Sequence, residues 1–316
     1  MRAVVFDNGV HVRDMDMPQP ADGEALVRVT TAGICKTDLE LAQGYMGFTG
    51  VPGHEFVGVV ELCADTERIG QRVVGEINCA CHVCKICSRN MPHHCPNRTV
   101  LGILNRPGAF AEYLCLPAAN LHSVPDSIPD ETAVFTEPLA AALRITEQLD
   151  ITDKDRVVVL GDGKLGQLIA QVLWLRTKQL VVVGRHAWKR TLLDQLGIVT
   201  AAPDDAIETG ADYVVEATGS PAGLDRALAL VRPEGTIVLK TTIAGPTTLD
   251  LSLPVINEVT IAGSRCGPFP PAIEALELGT IDVAPLITDR FPLDETPRAL
   301  ERATASDAMK VLLTVS

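Results

Sequence analysis

Residues 156–170, RVVVLGDGKLGQLIA, set an apolar β-type run, a glycine-rich turn and an apolar helix in direct succession. Gly161, Gly163 and Gly166 give the pattern G-x-G-x-x-G at the junction. The first glycine makes a tight turn, the second lets the backbone approach a pyrophosphate, and the third lets helix and strand pack closely. The N–H groups and partial positive charge at the start of the helix then serve the phosphates, and Lys164 and Leu165 beside the glycines join them as cofactor-binding candidates. A second strand, LVVV at 180–183, completes the order strand, glycines, helix, strand, which is far more specific than the glycines alone.

The end of that second strand is unusual. An acid there ordinarily hydrogen-bonds the adenosine ribose hydroxyls, but this chain has Gly184, followed by Arg185, His186 and Lys189. Loss of the acid removes repulsion against a 2′-phosphate, and arginine grips phosphate bidentately. The pocket is therefore expected to prefer NADP to NAD; the plain alternative is that Arg185 and Lys189 merely solvate the start of a helix.

Outward from this unit, strands and helices continue to alternate through YVVEATG, GLDRALALV, GTIVLKT and VTIAGS, the pattern of a doubly wound parallel α/β sheet. The first 120 or so residues differ: short runs such as RAVVF, EALVRVTTAGI, EFVGVVEL and QRVVGEI between Gly and Pro predict a β-rich domain. After Gly267 come a helix-like PPAIEALELGT, a β-type PLITDRFPL, a helix in ETPRALERATAS and a final strand in MKVLLTVS, read as a return to the first domain. A length of 316 residues accommodates two domains. Hydrophobic residues at 47% and charged residues at 21% fit a soluble globular protein. A net charge of −13 argues against nucleic-acid or anionic-membrane binding, which need a basic face. The N-terminus has no secretory-signal pattern, so a cytoplasmic location is expected. Thiols stay reduced there, and nine cysteines read as metal ligands before disulfides.

Cys81, Cys84, Cys87 and Cys95 stand at C-x2-C-x2-C-x7-C, a spacing that wraps four thiolates around one tetrahedral ion. Such an all-cysteine site is closed to substrate and structural. An iron–sulfur cluster is the rival, but its fourth cysteine ordinarily follows after about three residues, which favours zinc. Cys79 is a bystander thiol. A second, dispersed set comprises Cys35 in AGICKTD, His54 and Glu55 in PGHEFVG, and Glu137 in TEPLA. One thiolate, one imidazole and one or two carboxylates suit an open catalytic zinc, although each residue alone is a weak signal.

Together AGICKTD, PGHEFVGVV, the cysteine lobe, GAFAEYLCLP, TEPLAAAL, VLGDGKLGQLIA, VVEATGS and KVLL make the chain similar to the zinc-dependent medium-chain alcohol and polyol dehydrogenases over nearly its whole length. The resemblance implies a GroES-like β-rich catalytic domain (1–138 and 268–316, with the zinc lobe at about 79–95) and an inserted Rossmann domain (139–267), with the active site in the cleft between them. It also implies Cys35, His54 and Glu55 as catalytic-zinc ligands, with Glu137 ligating directly, through water, or in exchange with Glu55. Glutamate at 137, where simpler alcohol dehydrogenases have cysteine, leans toward polyhydroxy substrates. Thr37, with Glu55, is the expected catalytic residue, Thr37 passing the substrate proton to solvent. Glu40 stands where many members place a relay histidine. Thr218 in VVEATGS and Arg265 after the last strand join the cofactor contacts, and Phe48, Arg265 and Phe269 are candidates to line the cleft. The implied reaction is zinc-assisted hydride transfer between an alcohol, polyol or sugar hydroxyl, or the matching aldehyde or ketone, and NADP(H), in a homodimer or homotetramer. The rivals are a zinc-independent NADPH enone or quinone reductase, which lacks such ligands, and a non-catalytic zinc protein, which the complete nucleotide unit disfavours.

Overall fold

The computed structural model describes residues 1–242 and 250–315; residues 243–249, and Ser316 at the end of the stretch read as the final strand, lie outside the described residues. The chain divides into two compact units, Met1–Glu137 with Phe269–Ser316, and Pro138–Pro268.

The second unit holds a six-stranded sheet in which every pairing is parallel. Its spatial order is Val199–Ala201, Leu180–Val183, Val157–Leu160, Ala211–Glu216, Val231–Leu239, Thr260–Gly263. The apolar run of the glycine unit lies at the centre, where Val157–Leu160 is at most 1% exposed. A strand covered on both faces needs no alternation, which is why this run is continuously apolar. Helices Lys164–Trp174, Ala187–Gln195 and Ala222–Leu230 connect the strands. Ala227 and Leu230 close over Val158, Leu160, Val214 and Ile237, each such aliphatic contributing on the order of 2 kcal/mol on burial. Strand order reverses at Val157–Leu160, so the crevice at its carboxyl end, where Gly161 begins, is the position at which doubly wound sheets bind ligands. Thr260–Gly263 forms the sheet edge, with Ile261 exposed.

The first unit is built on a seven-stranded sheet. Its long strand Glu24–Gly33 alternates half-buried and buried side chains, the period-2 pattern of a sheet with one covered face. That strand pairs antiparallel with Glu55–Leu62, Tyr113–Pro117 and Lys310–Thr314, so residues from both ends of the chain meet on it. Ile287–Pro292 runs parallel beside Lys310–Thr314, and Arg72–Gly75 and Leu121–Ser123 extend the other side. A separate pairing of Asn78–Cys79 with Thr99–Val100 forms the base of the cysteine-rich loop. No helix among the described residues is long and apolar enough to cross a membrane.

Asn120 ties the base of that loop to the sheet. Its buried amide nitrogen donates to Glu76 O at 2.8 Å and Asn78 O at 2.9 Å, while Glu76 N–H donates back to Asn120 O at 2.9 Å. Asn120→Ala would strand one buried and one part-buried carbonyl and is expected to cost about 2 kcal/mol, read as a lowered denaturant midpoint at unchanged slope. An unaltered midpoint would remove Asn120 as the tether.

Candidate active site and metal centres

The cysteine lobe brings together the four thiols expected from spacing. The Sγ atoms of Cys81, Cys84, Cys87 and Cys95 all lie within 4.8 Å of one another. Neighbouring sulfurs stand 3.4 Å (Cys81–Cys95), 3.5 Å (Cys84–Cys87) and 3.8 Å (Cys84–Cys95) apart, and all four are free thiols. A tetrahedral zinc with Zn–S bonds of about 2.3 Å requires sulfurs roughly 3.8 Å apart, so the cage matches the ion. The backbone N–H of Val83, followed by Cys95, draws the Cys81 thiol down to about 6. Desolvation, followed by Cys84, pushes Cys87 up to about 12. Four sulfurs this close cannot all ionise without a cation among them. Cys79 stays outside the cage, buried against Asn120, with its thiol raised by burial.

The second cluster is assembled by strand register. Strand Glu24–Gly33 ends two residues before Cys35, and its Gly33 stands opposite Glu55, the first residue of the next strand in the sheet. Cys35 caps helix Lys36–Ala42. The ligand atoms of Cys35, His54 and Glu55 converge within 4.8 Å, His54 and Glu55 being 3% and 1% exposed. Glu137 stands in the first turn of helix Thr136–Gln148 and is not part of this convergence. Thr37 Oγ1 lies 3.9 Å from Cys35 Sγ in the first turn of the helix. Glu40 stands 3.7 Å from Lys36 Nζ.

Two residues complete this cluster that motif reading did not name. Asp38, wholly buried, accepts the Cys35 N–H at 2.8 Å through Oδ2, and its Oδ1 stands 3.3 Å from His54 Nδ1. The two atoms face each other as an ion-pair contact without forming a hydrogen bond, and with the carboxylate on the Nδ1 side His54 Nε2 is the candidate ligating nitrogen. The signal was present three residues after Cys35, at the N3 position of the helix, where an acid reaches back to the cap N–H. Lys310, 1% exposed, donates to Glu55 Oε2. A side chain at Gly33 would place its Cβ 2.4 Å from that carboxylate oxygen, so glycine leaves the room the pair occupies.

Burial would lower the affinity of His54 for a proton, but the Asp38 carboxylate and the Cys35 sulfur outweigh it and raise the imidazole well above its ordinary value. A buried imidazole between a carboxylate and a thiol thus sits where positive charge is favoured, and a divalent cation satisfies the same field. The donor set of one sulfur, one nitrogen and one carboxylate fits an open zinc site.

In the second unit, Gly161 takes φ +117°, and a Cβ on Gly166 would lie 2.1 Å from Gly161 O, which is why both positions are glycine. Gly163 caps helix Lys164–Trp174, with Lys164 and Leu165 half-buried in its first turn. Thr218 turns back onto Glu216, its N–H and Oγ1 donating to Oε1 at 2.8 and 2.5 Å. Arg265 is exposed, and its carbonyl accepts from Lys240 Nζ at 3.1 Å. Gly184 and Arg185 follow the second strand, Leu180–Val183, with Arg185 exposed and His186 half-buried, whereas Lys189 is 7% exposed with its ammonium 5.2 Å from the Trp188 ring centre. Of the cleft-lining candidates, Phe48 meets Phe6 edge-on, and Phe269, 4% exposed and packed on His122, is a core residue.

Residues 21–126 match the alcohol dehydrogenase GroES-like domain, and residues 165–279 match the zinc-binding dehydrogenase domain. The chain is 33% identical to the erythritol/L-threitol dehydrogenase of Mycolicibacterium smegmatis, covering 99% of this chain and 97% of that protein. Among solved structures it resembles an alcohol dehydrogenase of Escherichia coli CFT073 with NADH (TM-score 0.91, 28% identity, 99% of each chain). It resembles equally a zinc-binding dehydrogenase of Sinorhizobium meliloti 1021 bound to NADP (TM-score 0.90, 28% identity, 99% of this chain and 98% of that one). With its GroES-like and Rossmann domains, this chain belongs to the zinc-dependent medium-chain alcohol and polyol dehydrogenases, oxidoreductases that use zinc and a nicotinamide cofactor.

Proposed function

We propose that this protein oxidises a hydroxyl of a small polyol or sugar, or reduces the matching carbonyl, with NADP(H). The observation that carries the reading is the convergence of Cys35, His54 and Glu55 within 4.8 Å, with Asp38 against the imidazole. When bound there, zinc supplies Lewis acidity toward a hydroxyl or carbonyl oxygen, and the nicotinamide exchanges hydride with the carbinol carbon. Cys35 and His54 hold the ion, and Asp38 keeps the imidazole turned toward it. Glu55 is shared between the ion and Lys310. Thr37 accepts the hydroxyl proton and passes it outward. Glu137 and the erythritol/L-threitol relative together support a polyhydroxy substrate.

For the cofactor, Gly161, Gly163, Lys164, Leu165 and Gly166 serve the pyrophosphate, and Thr218 and Arg265 the remainder. Gly184, without an acid, and the exposed Arg185 support NADP, with His186 and Lys189 in the same segment. Cys81, Cys84, Cys87 and Cys95 hold a second, structural zinc. The exposed edge strand Thr260–Gly263 supports pairing with a second copy, as a homodimer or within a homotetramer.

His54→Ala and Cys35→Ser are expected to lower turnover on a polyol panel by roughly 1,000-fold, about 4 kcal/mol of transition-state stabilisation. NADP affinity should stay within about twofold by calorimetry. Loss of cofactor binding along with activity would make the cluster structural and sink the assignment. Thr37→Ala should cost roughly 100-fold in turnover at an unchanged melting temperature; full turnover would take it out of the proton path.

Elemental analysis should find two zinc ions per chain. Cys87→Ser should lose one of them and melt at least about 5 °C lower. A Cys87→Ser protein that melts like wild type would overturn the structural role of the lobe.

A further inference from the structure

At position 184 the sequence lacks the acid that ordinarily reads the ribose. The structure gives the position a positive reason. A Cβ on Gly184 would lie 2.4 Å from Asp162 Cβ, 2.6 Å from its Oδ2 and 2.7 Å from its Cγ. Such separations are far inside van der Waals contact, so the side chain of Asp162 fills the volume that any side chain at 184 would need. Asp162 is the residue between the first two glycines of the loop. An acid at 184, the usual reader of ribose hydroxyls, cannot coexist with it.

Nor is the Asp162 carboxylate left facing outward. It is 6% exposed, and Oδ2 accepts the backbone N–H of His186 at 2.6 Å. The imidazole Nδ1 stands 3.1 Å from Oδ1 and 3.2 Å from Oδ2. Facing a carboxylate, Nδ1 is the donor, and Nε2 is left for other partners on a side chain that is 30% exposed. The Gly184 carbonyl is occupied as well, by Arg190 Nη1 at 2.7 Å. The Asp162 carboxylate of the glycine loop and the Gly184 carbonyl after the second strand are therefore both turned onto donors at the start of the next helix, its cap His186 and Arg190. Arg185 and His186 remain toward solvent, while Lys189 is 7% exposed beside Trp188.

We propose that Asp162 is the specificity-determining positioning residue of the adenosine pocket, excluding a side chain at 184 and orienting the His186 ring, which as the imidazolium donates from Nε2 to the 2′-phosphate alongside Arg185. The proposal rests on the NADP reading above and deepens it, because the selectivity is assigned to a residue of the glycine loop rather than to the end of the second strand. Asp162 acts through His186, so its charge is spent on the imidazole and not on the ribose.

The test is calorimetric titration of the full-length protein with NADP and with NAD, alongside melting curves, which need no activity. Asp162→Ala and His186→Ala should each weaken NADP about tenfold and NAD by less than about twofold, the worth of one charge-assisted hydrogen bond. The double variant should bind NADP no more weakly than His186→Ala, since the two residues act as one unit. His186→Ala keeps the backbone N–H that Asp162 caps, so it separates the ring's role from loop stability. Asp162→Ala binding NADP as tightly as wild type or more tightly, or losing NAD instead, overturns the proposal and assigns the carboxylate to the ribose directly. Gly184→Asp should melt below wild type, and adding Asp162→Gly should restore the melting temperature and turn the preference to NAD. A Gly184→Asp protein that melts like wild type overturns the exclusion. A wild-type protein that itself favours NAD defeats the NADP reading, and a ratio of the two affinities unmoved by either single variant defeats the proposal in either case.

Discussion

The candidate zinc site in the first unit depends on one register in one sheet: Gly33 opposite Glu55 on one side and opposite Leu312 on the other. That alignment brings Cys35, two residues past the strand end, to His54 and Glu55. It also sets Lys310, near the other end of the chain, against the Glu55 carboxylate. A slip of one residue would turn every side chain of the strand to its opposite face. Burial of both partners, at 1% exposure, makes the Glu55–Lys310 pair costly to leave half-made, because removing one member leaves an uncompensated charge worth about 3–5 kcal/mol. The pair therefore holds the register as much as the register makes the pair.

Charge compensation explains why this cluster and the cysteine lobe look different although both suit zinc. In the lobe, four like groups crowd together, and among the described residues the protein answers their ionisation with neutral donors, such as the backbone N–H of Val83 and the side-chain amide of Asn97 on Cys81. The cage is closed and the ion completes it. In the other cluster, the protein supplies its own counter-charges: Asp38 against His54, and Lys310 against Glu55. Fewer donors converge there, which leaves coordination room for a substrate oxygen.

The adenosine pocket follows a third logic, in which space and charge are settled by the same side chain. Asp162 occupies the volume over Gly184 and at the same time spends its charge on His186. Glycine at the strand end and histidine two residues later are thus parts of one packing solution. The same economy places Gln167 across to Lys189 O at 2.9 Å, linking the helix that follows the glycines to the one that follows the second strand.

Much of this was legible in the sequence where the physics is local. The glycine unit, the parallel sheet and the four-cysteine cage are written within short stretches, because a tight turn, a β-branched run between turns and a wrapped ion each act over a few residues. Nothing around Phe269 in the sequence announces the ring of His122, far off in the chain, against which it is buried. Asp38 was visible only as a helix-cap acid; that it also faces His54 required the strand pairing that folds residue 54 back onto residue 35. Lys310 and Asp162 were invisible as partners for the same reason. Their meaning lies in contacts across 255 and 24 positions of sequence, which burial and register in three dimensions decide and periodicity along the chain cannot encode.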